Sequence, residues 1–360
     1  MNLVDLHFYK NRRVLLTGHT GFKGMWLTLA LLRLGAKVTG FALEAPTADG
    51  AEVLKKLGIL QEIRDIRGDV RNFTAMSQVF SQTKPEVAFH LAAQPIVREG
   101  YRSPLLTFET NVMGTANFLE AARQMDSVRS LLVVTTDKVY QNREWFWGYR
   151  ENEPLMGHDP YAASKAAAEM VAASYRQSFF ASKSKRIPLS TARAGNVIGG
   201  GDFAPDRIVP DCMRAAMASR PLQVRNPHSI RPYQHVLEPI FAYLLLAARQ
   251  AQDVSLAGAW NIGPDEVDCV TTGELADSFC KTWGEGASWQ DMHETQQNAP
   301  HEAQFLKLDA SKIKAELGWQ PRWHIEEAIV RTVAWAKCYQ AGGDLRALME
   351  TQIDDFLKNR

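Results

Sequence analysis

An α/β fold built on a doubly wound parallel sheet is predicted by three features of this 360-residue chain. Short apolar runs of strand length alternate with longer, helix-length stretches through the first half, the order that right-handed strand–helix–strand crossovers require. A turn with three glycines, Gly18, Gly21 and Gly24, follows the first apolar run and opens the first helix. The composition, 46% hydrophobic and 22% charged, is that of an ordinary globular chain able to bury a large core.

Arg13–Thr17 (RVLLT) is apolar without alternation, as a strand buried on both faces must be. Residues 24–34 carry Met25, Leu27, Leu29, Leu31, Leu32 and Leu34 and stop at Gly35, which predicts a buried helix. A second strand covers 37–43 and a third ends near Gly68 and Asp69. A helix over 72–83 leads to a fourth strand, Val87–His90. Helices over 104–123 and from Tyr161 to Phe179 flank a fifth strand at 130–135 (SLLVVT), and a sixth covers 187–193. From Asn196 onward proline and glycine punctuate the chain. Helices near 210–219, 236–250, 272–283, 309–317 and 325–340 are predicted there. Residues 1–195 are thus expected to form a Rossmann-type dinucleotide-binding domain. Residues 196–360 would form a smaller α/β substrate-binding lobe, intertwined with the first.

Lys and Arg number 41 against 40 Asp and Glu, a net charge of +1, which argues against a surface that coats nucleic acid. No apolar run approaches the roughly 18–20 residues that span a bilayer, so no membrane partner is expected. The first residues carry Asp5, Lys10, Arg12 and Arg13 and lack the apolar core of a signal peptide. Four cysteines, with no Cys-x-x-Cys pair, suit a reducing cytoplasm. The nine histidines show no metal-ligand spacing, so no metal is expected.

The turn Gly18-His19-Thr20-Gly21-Phe22-Lys23-Gly24 has the features of a phosphate cradle. Its glycines allow a tight turn, close approach of the backbone to a pyrophosphate and close packing of helix on strand. The helix start adds free N–H groups. An acidic residue about 20 residues further on would bind an adenosine ribose, and Glu44 lies at the end of the second strand. No arginine adjoins it in sequence, which favours NAD over NADP. Tyr161 and Lys165 stand four apart, neighbours on one helical face. A phenol titrates near 10 and needs a nearby ammonium to serve as a base at neutral pH. Tyr161 would take a proton from a sugar hydroxyl as hydride leaves the same carbon, with Lys165 lowering its pKa and holding the nicotinamide ribose.

The glycine spacing and the Tyr-x-x-x-Lys helix resemble the extended short-chain dehydrogenase/reductase family. That resemblance implies cofactor contacts at Asp69 and Val70, at Leu91, Ala92 and Ala93, and at Thr110 and Asn111. Gln94 would then face the substrate. The fifth strand ends in Thr135-Thr136-Asp137-Lys138, and an acid followed by a second ionisable group resembles the nucleotide-sugar 4,6-dehydratases. In those enzymes C4 is oxidised, water is eliminated across C5–C6, and hydride returns to C6. Asp137, kept protonated by burial, would be the acid for the departing hydroxyl, and Thr136 would bind the 4-oxygen. Lys138 stands where such enzymes carry Glu, so it would be either a base of depressed pKa or an electrostatic stabiliser of the enolate. Asp-Lys together with the aromatic segment 142–149 (NREWFWGY) resembles the branch that acts on CDP-glucose. The resemblance places Asn196 on the substrate diphosphate, with Arg207, Arg225, Arg231 and His235 as further substrate contacts; arginine suits bidentate phosphate recognition. It also implies a homodimer, or a tetramer, through the helices over 104–123 and 161–179. The rival readings are a 4-epimerase or a keto-sugar reductase on the same scaffold, or a module that binds dinucleotide without turnover.

Overall fold

The computed structural model describes residues 3–181, 186–292 and 305–358. The first half runs α1 (Leu3–Leu6), β1 (Arg13–Thr17), α2 (Phe22–Arg33), β2 (Lys37–Ala42), α3 (Ala48–Leu57), β3 (Arg64–Arg67), α4 (Phe73–Thr83), β4 (Val87–His90), α5 (Val97–Arg102), α6 (Pro104–Phe108), α7 (Gly114–Arg123), β5 (Ser130–Val134), α8 (Pro160–Tyr175) and β6 (Leu189–Ala194). A π-helical turn, Glu109–Met113, joins α6 to α7, and another, Arg176–Phe180, extends α8. The remainder holds β7 (Val197–Ile198), α9 (Ile208–Met217), β8 (Leu222–Val224), β9 (Ile230–Pro232), β10 (Gln234–His235), α10 (Leu237–Gln250), β11 (Ala259–Ile262), β12 (Cys269–Thr271), α11 (Thr272–Trp283), β13 (Trp289–Asp291), α12 (Ser311–Leu317), α13 (Ile325–Gln340) and α14 (Leu345–Lys358).

One parallel sheet has the order β11-β6-β5-β4-β1-β2-β3. Strand order reverses between β1 and β4, and such a switch point opens a crevice at the carboxyl ends of the strands, where ligands bind. Side chains of β1 alternate between two cores. Val14 and Leu16 join the cluster formed by α2 and α10, whereas Leu15 joins Phe80 of α4 and Phe118 of α7.

All six expected strands are present, and β11 adds a seventh, with Trp260 registered on Ala192 of β6. The chain beyond residue 195 therefore returns to the sheet of the first half, and α10, buried except at Arg249, lies near β5 and β6. Helix α3 was not expected, although both its ends carry signals: Thr47 accepts from the Gly50 N–H, and Gly58 ends the helix at φ +67°. Helices α5 and α14 are likewise additions. Three two-stranded pairs, β7/β10, β8/β13 and β9/β12, form beyond β6, apart from the main sheet.

Candidate active site

The glycine turn sits at the switch point. Gly18 has φ +77°, and a Cβ there would lie 2.7 Å from the Ala92 nitrogen. One on Gly24 would lie 2.1 Å from the Gly18 oxygen. These two glycines are demanded by packing. Gly21 differs, because its Cβ would meet only the Gly18 oxygen, at 3.5 Å, which leaves its backbone open on the crevice side. Helix α2 starts at Phe22 with no side-chain cap, so its first N–H groups and positive dipole end are available to an anion. The cradle fits a dinucleotide pyrophosphate.

Around the cradle, several expected contact residues also brace the fold. The Thr20 hydroxyl donates to the Leu43 carbonyl (3.0 Å) and ties the turn to the end of β2. Asn111 accepts from the Gln94 N–H (2.9 Å) and donates to the Gln94 carbonyl and the Ser164 hydroxyl, fastening the loop after β4 to α8. The Gln94 side chain bonds Thr107 and the Ile96 N–H. Thr110 lies on the same π-helical turn as Asn111, half-buried. Val70 is buried against Gly114 of α7, and Asp69 is held below the usual carboxylate range by Arg71. Leu91, Ala92 and Ala93 are half-buried beside the turn, with the Ala92 N–H bonded to Thr17. Glu44 is exposed, and Arg67 of β3 comes within 3.6 Å of it. The expectation that no arginine stands there is corrected: strand pairing brings in a residue remote in sequence. Arg67 also bonds Asp65 (2.9 Å) and the Leu43 carbonyl, so its guanidinium is engaged within the protein rather than held for a 2′-phosphate.

Helix α8 begins where it does because Asp159 caps it, accepting from the Ala162 N–H (2.9 Å), with Pro160 in its first turn. This start puts Tyr161 next to Thr136 and Asp137. Burial pushes the Tyr161 phenol up to about 12; a hydrogen bond with Thr136 and the charge of Arg207 pull against that rise. The Lys165 ammonium donates to the Val134 carbonyl (2.7 Å), and burial brings it down to about 8. Asp137 is 1% exposed; its Oδ1 accepts from the Thr136 hydroxyl (2.9 Å), and its Oδ2 has no partner among the described residues. Burial raises its pKa against the pull of Lys138, Thr136, Arg231 and Lys23, the condition required of a carboxylic acid that must donate. Lys138 is half-buried on the single 3₁₀ turn Asp137–Val139. The Lys23 side chain leaves the glycine turn for the same space, within the fields of Arg207, Asp137, Lys165 and Asp202, and burial lowers it to about 7.

In the second half of the chain, two of the expected arginines each have a carboxylate. Arg207 bonds Asp202 (3.0 Å), and Arg225 bonds Asp206 (2.9 Å). Arg98 on α5, which the sequence did not single out, also reaches Asp206, at 3.4 Å. Arg231 is buried within the field of Asp137, and Asn196 is half-buried at the turn between β6 and β7. His235 is corrected. It is 0% exposed, with its ring 5.8 Å from that of Trp26 and 4.8 Å from that of Trp323, and so belongs to the core rather than to a ligand. In the aromatic segment, Trp145 stacks on Tyr149 and Tyr149 on Tyr140, while Phe146 meets Phe305 edge-on. Among the described residues, no group of three or more His, Cys, Asp or Glu is placed to hold a metal ion, and no helix is long and apolar enough to cross a membrane.

Residues 15–332 match the family model described as GDP-mannose 4,6 dehydratase. The CDP-glucose 4,6-dehydratase of Salmonella typhimurium is 44% identical over 359 residues, 99% of each chain. Among solved structures, the dTDP-glucose 4,6-dehydratase of Bacillus anthracis in complex with NAD superposes with a TM-score of 0.75 at 21% identity, covering 94% of this chain and 99% of that one. The UDP-glucose 4-epimerase of Thermus thermophilus, complexed with NAD, gives 0.76 at 26% identity over 90% of this chain and 99% of its own.

Proposed function

The chain belongs to the GDP-mannose 4,6-dehydratase family, and from that premise we propose that it is an NAD-dependent lyase converting CDP-glucose to CDP-4-keto-6-deoxyglucose and water. One observation carries the choice of reaction: the buried Asp137, with an unpartnered Oδ2, beside Thr136 and Tyr161. A 4-epimerase uses Tyr161 and Lys165 equally well but leaves such an acid without a task. The choice of cytidine rests on the likeness to the Salmonella enzyme.

The glycine turn and Lys165 would hold NAD, which when bound would supply an acceptor for the C4 hydride and a donor for its return to C6. The chain's own residues move the protons. Tyr161 removes the 4-hydroxyl proton, and the nearby charge of Arg207 and the hydrogen bond with Thr136 favour the phenolate that burial opposes. Oxidation at C4 makes the C5 proton acidic. Asp137 then gives its proton to the departing C6 hydroxyl, and Lys138 stands next to it to neutralise or receive what C5 gives up. Asn196, Arg207, Arg225 and Arg231 bind the nucleoside diphosphate, with Asp202 and Asp206 yielding their arginines to it.

Leu105, Leu106, Phe108 and Met113, with Met170 and Phe179 of the neighbouring helix, leave apolar side chains exposed on one side of the domain. Apolar exposure on this scale supports a homodimer through these helices, to be checked by light scattering. The enzyme would work in the cytoplasm, at the start of deoxysugar synthesis for surface polysaccharide. Mass spectrometry after incubation with NAD and, separately, CDP-, dTDP-, UDP- and GDP-glucose tests the reading. Loss of one water from CDP-glucose alone is expected. An unchanged mass, with galactose released on hydrolysis, would make the protein an epimerase.

A further inference from the structure

Helix α8 carries more than Tyr161 and Lys165. One turn beyond Lys165, Glu169 is 4% exposed, and the i+4 spacing puts both side chains on one face. Lys165 donates to the carbonyl of Val134 (2.7 Å). Glu169 accepts from the hydroxyl of the next residue, Thr135, at 2.5 Å, and from Thr191 of β6 at 2.7 Å. Two consecutive residues at the end of β5 are thus gripped by consecutive turns of α8, immediately before Thr136 and Asp137. The same carboxylate takes Arg193 of β6 at 2.9 Å, and both partners are buried. Arg193 donates onward to the Tyr140 hydroxyl (2.8 Å) and the Glu151 carbonyl (3.0 Å), and Tyr140 donates to Asn261 of β11 at 2.6 Å. The network closes around the short turn that holds Asp137 and Lys138.

A buried ion pair is costly unless its remaining valences are filled, and by itself it is poor evidence of a gain in stability. This one does something that a pair of apolar residues could not. The titratable and charged groups facing Lys165 are Lys23 at the start of α2, His90 at the end of β4, and Tyr161 and Glu169 on its own helix. Burial keeps His90 neutral, pushed down to about 3, and Tyr161 neutral until far above pH 7; Lys23 is cationic or neutral. Of these groups only Glu169 is anionic. Its own burial would favour the acid form, but Arg193, Thr135 and Thr191 outweigh that and hold it ionised.

We propose that Glu169 is a positioning residue for the reaction, which together with Arg193 fixes α8 to the end of β5 and gives Lys165 the counter-charge that keeps it an ammonium inside a dry site. The inference rests on Tyr161 and Lys165 being the proton-handling pair. Burial presses on Lys165 and Glu169 opposes it, so neutralising Glu169 moves Lys165 toward the free amine.

The test is titration of Lys165 by NMR in protein labelled with ε-¹³C lysine and loaded with NAD, followed by the pH profile of kcat/KM. In Glu169→Gln the Lys165 midpoint is expected to fall by about one pH unit, and the alkaline limb of the profile falls with it. Glu169→Asp keeps the charge but shortens the reach. It should restore most of the midpoint while kcat stays reduced through the lost grip on Thr135. If Glu169→Gln does not fold with Arg193 left unpaired, the double variant Glu169→Gln/Arg193→Met removes both charges and carries the same expectation. A folded variant with an unmoved Lys165 midpoint overturns the inference and leaves the pair a strut. Because the NMR midpoint needs no turnover, a shifted midpoint in a protein that never dehydrates CDP-glucose would overturn the proposed reaction and leave this inference standing.

Discussion

The two walls of the proposed site would recognise ligands by different means. The cofactor wall is made of backbone and small residues: Gly18 and Gly24 are locked by contacts that admit no Cβ, and Gly21 is left open. The substrate wall is made of charge, with Arg207 held by Asp202, and Arg98 and Arg225 by Asp206. A wall of backbone is complete before its ligand arrives and selects by shape. A wall of paired charges must exchange one anion for another, so each phosphate contact gains only the difference between a diphosphate and a carboxylate. Between them, Asp137 is neither: a buried carboxyl with an atom left unpaired among the described residues, which in the proposed reaction would make a bond only during the chemical step.

That middle position gives the largest expected effect. Asp137→Asn removes the acid without changing its shape, and water elimination should slow by about 10²- to 10⁴-fold. Oxidation at C4 should persist, so stopped-flow absorbance would show bound NADH accumulating. Equal loss of both steps would make Asp137 an organiser of the site, and the contrast with the two walls would weaken. Next comes the cofactor wall. Gly18→Ala puts a Cβ 2.7 Å from the Ala92 nitrogen at φ +77° and should lower both Tm and NAD affinity. Gly21→Ala meets only ordinary contact. It should leave Tm unchanged while NAD affinity, read by calorimetry, drops by about tenfold or more. Unaltered NAD binding by the Gly21 variant would show that the turn is not the phosphate cradle.

The charged wall responds more gently. Arg225→Ala should raise KM about tenfold with kcat nearly unchanged, the signature of uniform binding. Asp206→Asn should act in the opposite direction, lowering KM because Arg98 and Arg225 no longer have a carboxylate to leave. If Asp206→Asn also raises KM, Asp206 positions the arginines rather than competing for them.

The same contrast governs what could be read from the sequence. The glycine turn and the Tyr161–Lys165 helix are local patterns, with spacing, strand and helix contiguous in the chain, and their positions were legible. The strands of the sheet were legible too, save β11, whose four residues include the polar Asn261 and which owes its place to pairing with β6. Partnerships across the fold were not legible. Arg67 reaches Glu44 only because β2 and β3 pair, and Asp206 collects arginines from α5 and from beyond β8. His235 sits beside Arg231 in sequence, yet its ring is folded inward between two tryptophans. Glu169 did carry a signal, its i+4 spacing from Lys165, but the counter-charge became visible only with Arg193 and Thr135 in place.

The smallest effect asks whether the second lobe's use of buried charge extends into its scaffold. Glu238, in the first turn of α10, is 0% exposed; its Oε1 accepts from the backbone N–H groups of Arg322 (2.9 Å) and Trp323 (2.8 Å), and its Oε2 has no partner among the described residues. Burial raises its pKa from the ordinary 4.5 to about 7. The folded state therefore holds this proton more tightly than the unfolded state does. The group's contribution is full below the unfolded value and is lost as pH rises toward 7, at up to about 1.4 kcal/mol for each pH unit. His90 and His235 work in the other direction. Burial pushes both down to about 3, so they cost stability as pH falls below their ordinary 6.5. Glu238→Gln keeps the oxygen that accepts both N–H groups and abolishes the titration. Denaturant melts at intervals from pH 5 to 8 should show the variant losing less stability than the parent as pH rises, and overtaking it at pH 8. An unchanged slope would mean that Glu238 is already ionised at the low end of that range and solvated well enough to stay so. The dependence on charge would then stop at the arginines that face the substrate.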